Sequence, residues 1–203
     1  MFLTQLTITL SLKYESEVLG DKLVINLKDR EQVFTQVGEM KNITAAHLSR
    51  AINKIAFMPL EEKSELADEI FISQPVLLSS ILVQKKLGNS YEQVEVLINI
   101  LLTIYEAMKE AKITIHSISQ AEYERQMMKT VAQIKFSERM NKELLGQSVD
   151  QYIEHHPDKF LFAYITNEMV KFGFHDLKHE SSGFLLLTGI NLAACIAEAI
   201  NKA

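Results

Sequence analysis

One cysteine, three prolines, seven glycines and no tryptophan among 203 residues leave several classes of protein without material. Cys195 has no second thiol in the chain to pair with, so a disulfide framework is excluded and the expected compartment is the cytoplasm. Turn-forming residues are too few for a many-stranded β fold, collagen-like repeats or a glycine-rich phosphate loop. Cationic charge is also short: 21 Lys and Arg face 26 Asp and Glu, giving a net charge of −5 and no long-range attraction for nucleic acid or anionic lipid. Met1 to Leu12 is apolar but lacks a basic start and a small-residue cleavage site, so it does not read as a secretory signal, and the mature chain is expected to begin near Met1.

What the chain does have is apolar residues, 47% of the total. At this length about 70% of the unfolded chain's surface is expected to be buried on folding, enough for one core without staples. No linker, composition shift or repeat divides it. The expected architecture is a mainly α, single-domain multi-helix bundle over residues 1–203, with about eight to nine helices and an N-terminal β-hairpin. Residues 1–28 carry the hairpin pattern, in which Leu6, Ile8, Leu10 and Leu12, then Leu23, Ile25 and Leu27, recur at period two around a Gly20-Asp21 turn.

Residues 29–203 follow the helical period instead. Asp29 with Gln32 opens a helix to about Asn42, and Thr44 caps a second that buries Leu48, Ala51, Ile52 and Ile55 and stops at Met58-Pro59. A third carries Leu66, Ile70 and Phe71. Ser73-Gln74-Pro75 starts a fourth, expected to reach Leu87 with Gly88 as a left-handed stop and to lie deeply buried through Val76, Ile81, Leu82 and Val83. Capping pairs Ser90 with Gln93 and Ser119 with Glu122 open helices to about Ala111 and about Leu145, the latter closed by Gly146. A short helix from Ser148 to Pro157 follows, then one from Asp158 to Phe172 with Gly173 as its stop and Phe174 as the apolar contact of a Schellman turn. The last runs from Gly183 to about Asn201. Its 17 residues from Phe184 to Ile200 reach the lower edge of membrane-spanning length, but a helix apolar on nearly every side is expected at the centre of a bundle.

Candidate chemistry concentrates in the C-terminal histidines. His175 and His179 lie one helical turn apart, with Asp176 placed three before His179, so two or three ligand atoms for a divalent metal could converge there, and His155, His156 or Glu168 would have to complete the set. The His175-Asp176 pair invites comparison with HD-type metal-dependent phosphohydrolases, but no Asp follows Asp176 and the family's spacing is not met. A ferritin-like site requires Glu three residues before His, which occurs nowhere in the chain. Against the metal reading stands a solvated polar connector between two apolar helices, and no cofactor is predicted.

Ile43 to Ile52 resembles the second helix of a helix-turn-helix, with Arg50 and Lys54 outward, yet specific DNA readers carry more cations than this stretch and its neighbour Lys41 supply. His47, one turn from Arg50, has the composition of a phosphoacceptor site and equally that of a surface histidine. Cys195 lies among Ala193, Ala194, Ile196 and Ala197, where a thiol stays protonated and inert. Helices apolar on more than one face and a strand pair needing cover point to a non-enzymatic binding or self-association module, with another protein or a second copy as partner. A metal-dependent hydrolase using the histidine cluster is the alternative, and a helix-turn-helix DNA binder the weaker one.

Overall fold

The computed structural model describes residues 42–137, 140–141, 143–144, 147, 151–152, 156–174 and 180–203. These are mainly helical, with seven α-helices and no strand among the described residues. The expected hairpin over residues 1–28 lies outside them, as do nearly all of the helix expected to precede Thr44 and most of the one between Ser148 and Pro157, which accounts for the smaller helix count.

Helix α1 (Ala45–Phe57) begins at a reciprocal capping box: the Thr44 hydroxyl accepts from the His47 amide at 3.3 Å, and His47 Nδ1 accepts from the Thr44 amide at 3.2 Å. Pro59 precedes α2 (Leu60–Ser73), Pro75 starts α3 (Pro75–Leu82), and α2 with the α3 segment bends by 116° at that break. Helix α3 is shorter than its apolar run suggests. It gives way at Val83–Lys85 to a 3-10 turn in which the buried Gln84 amide donates to Thr188 Oγ1 at 2.8 Å and to the Ser80 carbonyl, while Asn89 donates to Gln84 Oε1. Leu82 and Val83 are consequently half-exposed rather than buried. Gly88 takes the left-handed stop at φ 94°.

The Ser90–Gln93 capping box opens α4 (Tyr91–Glu110), which buries Leu97, Ile100, Leu101 and Ile104 on several sides. Its breadth is used internally, because α4 packs on α1, α2, α3, α6 and α7. Ser119 and Glu122 cap α5 (Gln120–Ser137), and Met140 lies in a bend, so this helix ends earlier than the expected Leu145. Asp158 caps α6 (Lys159–Lys171) by accepting from the Leu161 amide at 2.8 Å. Its exit is a Schellman turn, with Gly173 at φ 76°, its amide bonded to the Val170 carbonyl, and the buried Phe174 bonded to that of Met169.

Helix α7 (Glu180–Asn201) is the second hub, packed chiefly on α5 and α6 and also on α3 and α4. Among the described residues it holds the one helix long and apolar enough to cross a membrane, and 72% of that stretch is buried within the bundle. Core positions drawn from every helix join in a single cluster. Two residues of the expected apolar stripes sit at its margin: Ile52 and Phe71 are both substantially exposed.

Candidate functional site

Helices α5 and α7 diverge around a cleft of about 560 Å³ whose third wall is the approach to α6 at Tyr152, His156 and Pro157. Burial dominates the chemistry of that wall. The His156 ring stacks on Phe162 at 4.4 Å between centroids and 21° between planes, and Tyr152 meets both rings at a tilt. His156 Nδ1 lies 2.9 Å from the Asp158 carbonyl and 3.2 Å from the Asp158 amide. These two contacts are alternatives: the nitrogen donates to the first in one tautomer or accepts from the second in the other. Removal from water pushes the imidazole down to about 4, so it is neutral at pH 7, and pushes the Tyr152 hydroxyl up to about 12.

The opposite rim is charged. Glu198, the lone acid in the apolar part of α7, pairs with Arg125 Nη2 at 2.8 Å, Lys202 Nζ at 2.6 Å and Lys129 Nζ at 3.9 Å, and accepts from the Gln126 amide. Lys202 also reaches Glu122 at 3.8 Å. Glu122 accepts from the Ser119 amide and hydroxyl and meets His116 Nε2 at 3.1 Å, and these bonds hold its carboxyl down at about 2. Hydrogen bonding to Lys202 and the nearby cations lowers the Glu198 carboxyl as well.

A second recess, about 490 Å³, opens between α3 with its 3-10 turn, α5 and α7. Its walls are mainly apolar, with Val76, Val83, Leu87, Met127, Phe184 and Leu187 interspersed with Ser79, Ser80, Gln84, Gln120 and Thr188. Val83, Leu87 and Phe184 are each more than a third exposed.

Of the metal-ligand candidates, His155, His175, Asp176 and His179 lie outside the described residues, and no group of three or more His, Cys, Asp or Glu converges among the described ones. His156 is engaged in the aromatic stack. On α1, Arg50 pairs with Glu110 at 2.9 Å and Lys54 with the buried Glu106, so both outward cations of the helix-turn-helix pattern are turned onto α4 carboxylates. His47 serves as the third member of its own helix cap. Burial pushes the Cys195 thiol up to about 12, in keeping with an inert core position.

The cluster around Glu198 was not visible as a site in the sequence. Its available signal was a single acid in an otherwise greasy final helix, with Lys202 four residues on. No protein-family model, curated protein or solved structure matches this chain.

Proposed function

We propose that this chain is a non-enzymatic binding module that associates with a second polypeptide, in the first instance a second copy of itself. The observation that carries the reading is the apolar recess between α3, α5 and α7, rimmed by exposed Val83, Leu87 and Phe184. Grooves walled by three helices accept an apolar stretch of another chain because burial there removes hydrocarbon from water at about 25 cal/mol per Å². The molecule also supplies protruding apolar side chains of its own, with Phe57 at the end of α1 86% exposed and Ile72 on α2 80% exposed. A recess and protruding apolar side chains on one chain suit a contact between copies.

Light scattering coupled to size-exclusion chromatography tests this. A mass above that of the monomer is expected at high micromolar concentration, shifting to the monomer in the Val83→Glu, Leu87→Glu double variant, with an unchanged circular dichroism spectrum as the check that the fold is intact. A strict monomer at that concentration overturns self-association.

A further inference from the structure

We propose that the cleft between α5, α7 and the wall formed by Tyr152, His156 and Pro157 binds a small organic anion, a flat apolar body carrying one carboxylate or one phosphate. This is a separate surface from the apolar recess and stands independently of it. Three observations converge. Its volume, about 560 Å³, falls within the range of about 300–1,000 Å³ occupied by small-molecule sites. Part of its wall is aromatic and apolar, formed by Tyr152, His156, Pro157 and Ala194 beside the polar Gln126, Thr130, Gln133 and Asn201, and the imidazole carries no charge at neutral pH.

The rim supplies the counter-charge. Among the described lining residues Lys129 and Lys202 stand against one carboxylate, Glu198, which leaves one positive charge in excess there in a chain whose net charge is −5. Lys129 is the cation held least tightly, 3.9 Å from Glu198, and its side chain is more than half exposed. A ligand anion would take Lys129 and share Lys202, while Arg125 and the Gln126 amide remain to neutralise Glu198. One surplus charge suits a single anionic head and not a polyanion, and the apolar wall demands a body behind it.

The test is NMR titration of the full chain at low ionic strength with benzoate, phenyl phosphate and inorganic phosphate. Saturable shifts at cleft amides are expected with at least one of the two aromatic anions, the stronger of them identifying the head group as carboxylate or phosphate. The Lys129→Gln, Lys202→Gln double variant should weaken binding by about tenfold, which corresponds to ~1.4 kcal/mol. Ala194→Leu, which adds bulk to the apolar part of the wall, should abolish it with the circular dichroism spectrum unchanged. Absence of saturable binding by either aromatic anion at millimolar concentration overturns the proposal. So does binding indifferent to the lysine variant, or inorganic phosphate binding as tightly as phenyl phosphate.

Discussion

The His156 imidazole is stacked, buried and neutral, and that state has a thermodynamic consequence. In the unfolded chain the ring titrates near the ordinary 6.5, and in the folded chain near 4. Between those values the unfolded chain holds a proton that the folded chain lacks, so stability declines as pH is lowered from about 6.5 to about 4. At ~1.4 kcal/mol per pH unit the gap amounts to about 3 kcal/mol. Asp158 opposes part of this, because burial raises its carboxyl and the folded state then keeps a proton that the unfolded state has lost. Backbone amides of Leu161, Ile43 and Phe160 pull that carboxyl back toward the charged form, so the histidine is expected to dominate. Thermal midpoints measured between pH 7 and pH 4.5 should fall with acidification, and His156→Phe, which keeps a ring against Phe162, should flatten the slope. An unchanged slope in the variant would place the acid sensitivity elsewhere. Sequence reasoning named this histidine only as a residue to complete a set with His175 and His179; its stack with Phe162 was not legible there, because that contact depends on where α6 begins. The cations facing it across the cleft, Lys129 and Lys202, are 73 residues apart in the chain, a separation that helical periodicity does not bridge.

Element boundaries were legible wherever a local capping rule decided them. Thr44, Ser90, Ser119 and Asp158 open helices and Gly88 and Gly173 close segments as local chemistry dictates, because each rule involves atoms a few residues apart. The end of α3 was not, because it is set by the Gln84 bond to Thr188 across 104 positions. Helix α7 shows the same division between local and distant causes. Its two interior glycines carry the same helix-propensity penalty, yet a Cβ at Gly183 would meet nothing within 4 Å, while one at Gly189 would run into the Met169 sulfur and lie 3.5 Å from Ile165 Cγ2. Gly189 therefore leaves room against α7 for the buried Met169 side chain of α6. Gly189→Val should destabilise by about 1–3 kcal/mol through overpacking, whereas Gly183→Ala should be neutral or stabilise by about 0.5–1 kcal/mol. Urea denaturation of the two variants checks this, and equal midpoints would refute close packing at Gly189.

At the scale of the molecule, α4 and α7 act as two hubs sharing one core, with α1 and α2 packed on the first, α5 and α6 chiefly on the second, and α3 touching both. The hubs also meet directly, and the cluster of buried residues runs without a break from Leu48 on α1 to Ile200 on α7. Polar ties reinforce the joins: Gln74, between α2 and α3, donates to the His116 carbonyl and accepts from the Ile118 amide, and the buried Asn191 of α7 donates to the Tyr123 carbonyl of α5. Neither hub can lose its layer of helices without exposing the other's apolar side, so loss of structure should be cooperative across the chain. The absence of tryptophan makes tyrosine the natural tertiary probe, and Tyr105 on α4 and Tyr123 and Tyr164 on α5 and α6 report from both hubs. Urea curves followed by tyrosine fluorescence and by helical circular dichroism should coincide in midpoint and slope. Two resolved transitions, with the tyrosine signal lost ahead of the helical signal, would mean that the α4 and α7 layers fold as separable units and that the shared core contributes less than its continuity implies.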